Sequence, residues 1–334
     1  MPFDLAFIWA GLIAFAVLAY VVLDGFDLGV GILFLVVDEQ SDRDTAMNSV
    51  APVWDGNETW LILGGGGLFA AFPLAYAIAM PALYAPILAM LLGLIFRGVS
   101  FEFRWRTERG KFLWDWGFAL GSTLAAFAQG VALGALVQGI PVVDRHYAGG
   151  WWDWLTPFSL LTGVAVTVGY ATLGSAWLVM KTEHGLRDRM RGIALRGGIA
   201  LLALIAAVSI WTPFLNPLFL QRWLAWPALL YTAPVPILVV GCAFAYFEGL
   251  RRELDYAPFL AALGLFIVSF IGLGISFYPY ILPPTITIWM AASPDISLRF
   301  MLVGASVLIP LILLYTAVSY WVFRGKVDTA GGYH

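Results

Sequence analysis

The chain has 334 residues, of which 61% are hydrophobic and only 12% charged, with a mean hydropathy of +0.86. That composition describes a membrane protein and excludes soluble enzymes, nucleic-acid binders and secreted scaffolds. A formal net charge of -3 and a pI near 5.6 carry little weight, because the placement of charge in a membrane protein matters more than its sum.

Apolar runs of spanning length, about 20 residues each, predict nine helical spans at 7–36, 50–72, 75–99, 112–137, 156–180, 198–219, 226–247, 258–277 and 298–323. Continuous apolar runs lack the period-two alternation of a barrel strand, and an open sheet would leave backbone groups unpaired in lipid. The expectation is an all-α polytopic protein in which residues 1–334 form a single integral membrane domain. The first run has no basic n-region and no small-residue cleavage site ahead of its acids, so it reads as a span and not as a signal peptide.

Span one runs into Asp24 and Asp27, three residues apart and therefore on one helix face, with Gly25 and Gly29 forming a small-x-x-x-small pair that invites another helix. Span two opens with APVWDGNETW, which puts Trp54 and Asp55 about one turn inside and Glu58 three residues deeper. The run Gly64 to Gly67 lies within this apolar span, where close helix packing is favoured over a nucleotide loop. Span three carries Arg97 at its inner end, with Glu102 just beyond it. Span four carries one strongly polar side chain near its middle, Gln129, whose expected role is a helix-to-helix hydrogen bond. The one cysteine, Cys242, falls in span seven and reads as packing. Tryptophans at span ends, among them Trp105, Trp151 and Trp226, read as an interfacial belt.

Basic residues orient the spans, because those near span ends stay on the cytoplasmic side. Of the 18 Lys and Arg residues, only Arg145, Arg222 and Arg299 fall on one side, leaving 15 on the other. This predicts an outer N-terminus, an inner C-terminus and an odd number of spans. It also gathers Asp24, Asp27, Asp55, Glu58, Arg97 and Glu102 near one inner leaflet. Ionisable groups in spans cost roughly 2.5 to 3.5 kcal/mol each on insertion scales and are usually functional. Two structural readings compete: the acids pair with Arg97 and hold the bundle, or Asp55 caps its helix. The functional reading is proton uptake, for which a carboxylate near an aqueous entrance is suited.

None of the three histidines, His146, His184 and His334, is expected at membrane depth, and there is no cysteine cluster, so the chain is a poor holder of haem, copper or iron-sulfur groups. It also lacks a phosphate loop of the G-x-x-x-x-G-K-[ST] type.

The segment from Asp24 to Gly31, the block NSVAPVWDGNETWLILGGGGLFAAFPLAYA from Asn48 to Ala77, FRGVSFEFR from Phe96, WDWGFALGS from Trp114, FYPYILPPTITIW from Phe277 and PLILLYTAVSYWVF from Pro310 together resemble the haem-free second subunit of bacterial cytochrome bd-type quinol oxidases. The resemblance covers effectively the whole chain. It implies two four-helix bundles plus one peripheral helix, no cofactor on this chain, b-type and d-type haems on a partner subunit I, and oxygen reduced to water at the expense of quinol. It implies a bacterial inner-membrane location and lipid contacts. It leaves open a bound quinone and small accessory transmembrane subunits. Asp27, Trp54, Asp55 and Arg97 fall on family motif positions: Asp55 would correspond to the acid of cytoplasmic proton delivery and Asp27 to a buried acid near that route. Glu58, where some members have glutamine, adds a proton carrier, while Asp24, Trp54, Arg97 and Glu102 would support the route. Val53 stands where some members have histidine, and Met290 where an acid often follows the tryptophan. The short link 216–222 resembles the branch called cyanide-insensitive. A secondary transporter with buried acids and a scaffold that only stabilises its partner are the competing readings; the transporter is disfavoured because the acids gather at one leaflet and the Pro and Gly breaks show no duplication.

Overall fold

The computed structural model describes residues 4–107 and 109–327; His334 lies outside the described residues. The described chain is built from 14 helices and two short antiparallel hairpins. Helices α1 (Leu5–Leu33), α2 (Gln40–Val50), α3 (Trp54–Ala71), α4 (Pro73–Ala82), α5 (Tyr84–Arg106) and α6 (Lys111–Gln138) lead to the hairpin β1 (Val142–Val143) and β2 (His146–Tyr147). Then come α7 (Pro157–Lys181), α8 (His184–Leu215), α9 (Pro217–Leu224), α10 (Ala228–Thr232), α11 (Pro234–Arg251) and α12 (Ala257–Phe277). The chain closes with the hairpin β3 (Tyr280–Leu282) and β4 (Ile286–Thr287), followed by α13 (Ile288–Ala291) and α14 (Asp295–Val322).

Among the described residues, eight helical segments are long and apolar enough to cross a membrane, with α10 and α11 acting as one, and the number becomes nine if the bent pair α3 and α4 is one span. The expected third span, 75–99, is corrected at its start. Its first residues belong to α4, which turns 118° away from α3, and the span proper is α5. The cause is local: Phe72 precedes Pro73 and sits at φ -132° and ψ 61°, outside the helical region that a residue before proline avoids. Helix α2, polar and lying between the first two spans, was not anticipated, because a search for apolar runs passes over it. The helix that carries span six begins ahead of it, at His184, since the basic first turns of α8 are helical too.

Helix α1 lies at the centre and packs against α3, α6 and α7. Its crossing with α7 is a backbone contact. A Cβ on Gly29 would fall 1.9 Å from the Tyr170 carbonyl oxygen, and one on Gly174 would fall 2.5 Å from the Gly29 carbonyl carbon. In lipid, where burying apolar surface does little to drive helices together, such small-residue crossings allow the dense packing that does.

Each end of the molecule has its own fastening. At the N-terminal end of α1, Trp9 Nε1 donates to Leu298 O at 3.0 Å and Trp289 Nε1 to Asp4 Oδ2 at 2.7 Å, over a core containing Phe72, Ile78 and Ile288. At the opposite end, Lys181 Nζ donates to the carbonyls of Phe323 and Gly325, and Lys326 Nζ donates to Thr182 O at 3.1 Å. Asp255 accepts from Arg187 Nε at 2.9 Å and pairs with Lys326 at 3.0 Å. Burial raises the Asp255 carboxyl, but the hydrogen bonds and charges of Lys326 and Arg187 outweigh it and hold the group below its ordinary value.

Gly29→Ala should therefore force α1 and α7 apart, with a cost of about 1–3 kcal/mol or more for an overpacked contact. The thermal unfolding midpoint of the purified protein should fall, and an unchanged midpoint would contradict the backbone crossing.

Candidate functional site

Three helices bring their rare charged residues together. Asp24 and Asp27 come from α1, Asn57 and Glu58 from α3, and Arg97 from α5; Asp24, Asp27, Asn57 and Arg97 are fully buried. Arg97 Nη2 donates to Asp24 Oδ1 at 2.6 Å and lies 3.7 Å from Asp27 Oδ2, while Arg97 Nη1 donates to Glu58 Oε2 at 3.0 Å. Three carboxylates thus gather on one guanidinium, and only Glu58, with its side chain 26% exposed, opens toward the surface. Trp54 and Phe101 stack at 4.7 Å, and the Arg97 guanidinium lies 5.1 and 5.3 Å from their ring centroids, so the cation is held by π-faces as well as by acids.

Two polar branches leave this cluster. In the first, Asn57 Nδ2 donates to Asp27 Oδ2 at 2.7 Å, and Tyr320 Oη of α14 donates to Asn57 Oδ1 at 3.0 Å. The second starts one helical turn from Asp24 at Tyr20, whose hydroxyl accepts from Gln129 Nε2 at 2.7 Å. Gln129 Oε1 in turn accepts from Tyr170 Oη at 3.0 Å. The expected bridging role of Gln129 is therefore met, and the amide ties α6 to both α1 and α7. Asp24 Oδ2, Asp27 Oδ1 and Arg97 Nε are buried without a hydrogen-bond partner among the described residues. Polar atoms in that state are where ordered water is held in protein interiors.

Two sequence expectations are corrected. Glu102 does not complete the group: it is 63% exposed and meets only Arg106, at 3.5 Å, within its own helix. Five residues advance a helix by about 500°, so Glu102 points about 140° away from Arg97. Asp55 is in the first turn of α3, not a turn inside it, and is exposed. Its carboxylate joins no ion pair among the described residues, and the helix carries no side-chain cap, with Val53 at the cap position.

A second charged cluster, not anticipated, lies nearer the end of the bundle. Arg104 Nε donates to Asp115 Oδ1 at 2.6 Å and Arg104 Nη2 lies 2.7 Å from Asp44, while Arg43 reaches Asp115 at 3.1 Å and Lys111 reaches Asp44 at 3.0 Å. Burial raises the Asp44 carboxyl, but hydrogen bonds from Lys111 and Arg104 more than offset this and keep it low. The cluster joins α2, α5 and α6 and reads as a fastening.

Neither described histidine fits a haem ligand at membrane depth, since His146 is in the first hairpin and His184 at the start of α8, both exposed. No group of three or more His, Cys, Asp or Glu that could hold a metal ion occurs among the described residues.

Residues 5–323 match the family described as cytochrome bd terminal oxidase subunit II. The chain is 33% identical to the cytochrome bd-I ubiquinol oxidase subunit 2 of Escherichia coli strain K12, over 97% of this chain and 95% of that protein. It is 31% identical to the cytochrome bd ubiquinol oxidase subunit 2 of Bacillus subtilis strain 168, over 96% of each. The chain belongs to the cytochrome bd terminal oxidase subunit II family. Its fold is shared with a chain of the bd oxidase from Geobacillus thermodenitrificans, with a TM-score of 0.72 at 16% identity, covering 97% of this chain and all of that one.

Within this subunit II fold, sequence reasoning missed Asn57, Tyr320, Tyr20 and Tyr170. Asn57 left a signal, as a carboxamide two residues into a span from Asp55. The tyrosines left none, because tyrosine is common in membrane belts.

Arg97→Ala should strand three carboxylates, at a cost of about 3–5 kcal/mol for breaking a buried ion pair on one side. Adding Asp24→Asn to it should recover part of the lost thermal stability. Additive losses in this double-mutant comparison would refute the shared ion pair.

Proposed function

We propose that this chain, as subunit II of a cytochrome bd-type quinol oxidase, an oxidoreductase complex, stabilises a haem-bearing subunit I and carries protons toward that subunit's oxygen-reducing site. The carrying observation is the cluster that opens at Glu58 and continues through Arg97 to the buried Asp24 and Asp27. Acids that outnumber the base facing them, in a low-dielectric interior, form a site able to take up and release protons as well as to hold ion pairs. Oxygen reduction to water consumes protons, and a site enclosed by hydrocarbon receives them only through titratable groups and water.

In this reading Asp55, exposed in the first turn of α3, collects protons at the cytoplasmic face, and Glu58, one turn on, hands them inward to Asp27. Trp54 and Arg97 hold the geometry. Glu102 stays outside the route. The haems, of b and d type, belong to subunit I; quinol, lipid and small accessory subunits are the remaining partners. The N-terminus faces outward and the C-terminus inward across a bacterial inner membrane. The chain is one integral membrane unit, with α1, α3, α5 and α6 as one four-helix bundle, α7, α8, α11 and α12 as the second, and α14 peripheral. The pairs α1 with α3, α5 with α6, α7 with α8 and α11 with α12 pack within these groups, and α7 joins the two by packing on α1 and α6. A transporter reading is not favoured by the family.

Asp55→Asn, Glu58→Gln and Asp27→Asn should each lower steady-state oxygen consumption by about a hundredfold, the low end of what a positioned proton-transfer group contributes, at unchanged haem content. Glu102→Gln should leave it near that of the unaltered enzyme. Normal turnover in all three acid variants would remove the proton route and leave the scaffold. Orientation is checked by thiol labelling in a Cys242→Ser background: Ser41→Cys and Thr107→Cys should react only from the cytoplasmic side and Ala148→Cys only from outside.

A further inference from the structure

Beyond the acid cluster, the molecule has a groove of about 310 Å³ between the turn after α1 and the early turns of α8, whose lining includes Val36, Val37, Asp188, Arg189, Gly192 and Arg196. That is the lower end of the range for small-molecule sites, about 300–1,000 Å³. Its depth follows from the sequence of α8. Residues 197–215 carry no charge and would span about 28 Å at 1.5 Å per residue, close to the roughly 30 Å hydrocarbon core. Arg196 therefore stands at the boundary between hydrocarbon and headgroups, and Asp188 lies about two turns farther toward water.

The charges in the groove are of both signs. Arg189 is taken up by Glu39 and Asp42, whereas Arg196 and Asp188 have no ion-pair or hydrogen-bond partner among the described side chains. Gly192 lies between them, and a Cβ there would meet nothing within 4 Å, so the floor is open. Below Arg196 an exposed stripe of Ile199, Ala203, Ala206 and Ile210 continues in register down the hydrocarbon-facing side of α8. A cation at the boundary, an anion above it and a shallow apolar track below match a phosphate, an ammonium group and an acyl chain in that order.

We propose that this groove binds a zwitterionic phospholipid with a primary-amine headgroup, phosphatidylethanolamine in chemistry, with its phosphate on Arg196, its ammonium on Asp188 and one acyl chain along the Ile199–Ile210 stripe. An anionic glycerol headgroup would meet Asp188 without a cation to answer it. A choline headgroup would bring a bulky ammonium that donates no hydrogen bond to the carboxylate.

The test uses the purified intact oxidase complex, delipidated in detergent and equilibrated with equimolar palmitoyl-oleoyl phosphatidylethanolamine, phosphatidylglycerol and phosphatidylcholine, followed by native mass spectrometry of the retained lipid. The expected result is a preference of about two- to fivefold for phosphatidylethanolamine, the size of one exposed charge pair. Asp188→Lys should turn that preference toward phosphatidylglycerol, and Arg196→Gln should reduce retention of all three lipids. Equal retention of the three lipids by the unaltered complex overturns the proposal. So does a phosphatidylethanolamine preference that survives both substitutions. Oxygen consumption of both variants, expected near normal because neither residue belongs to the acid cluster, shows that the complex remains folded.

Discussion

A guanidinium buried in a membrane bundle is stable only if acids and π-faces close around it, and the position of Arg97 sets the relation of three helices. Asp24 fixes α1, Glu58 fixes α3, and the stacked Trp54 and Phe101 hold the plane of the cation from α3 and α5. The acids in turn need Arg97, since a carboxylate in hydrocarbon without a partner is among the costliest placements available to a side chain. The cluster is thus a joint and a chemical site at once, and either property would disturb the other if altered.

The joint is tight because the central helix is stripped of side chains where it meets α7. Backbone contact at Gly29 and Gly174 draws α7 close enough for Tyr170 to reach Gln129, which also holds Tyr20. Packing and polar connection are therefore coupled: the small residues that let helices approach also let a hydrogen-bonded chain run between them through an apolar interior.

Much of this was legible in the amino-acid order. Asp24, Asp27, Glu58 and Arg97 stood out because charge is expensive inside a span, and that same cost drives them together in the fold. Gln129 was legible for the same reason. Glu102 was misread because closeness along the chain says nothing of the face it occupies; a helix turns about 100° per residue, and five steps carry it off the site. The bend at Phe72 was written in the Pro73 that follows it, but the apolar run continues through the turn and hides it. Helix α2 escaped because its sequence, QSDRDTAMNSV, is polar and leaves no apolar run to find. The tyrosines could not be distinguished from belt residues, since only tertiary contact separates a hydroxyl in a network from one at an interface.

The fastening of Lys181 and Thr182 by residues 323–327 bears on how the chain is made. Among the described residues the ammonium at the end of α7 finds its acceptors in the carbonyls of Phe323 and Gly325, and the backbone of Lys181 accepts from Val327 N at 2.9 Å. Through Lys326, the same short segment also reaches Asp255 between α11 and α12. A ribosome delivers α7 and α12 to the bilayer well before it delivers these partners. For that interval the loop ends of the second half stay unclasped and wet, and the arrival of the segment after α14 closes them together. A truncation there would leave every span inserted yet the clasp open, giving quality-control proteases a foothold that the finished subunit withholds.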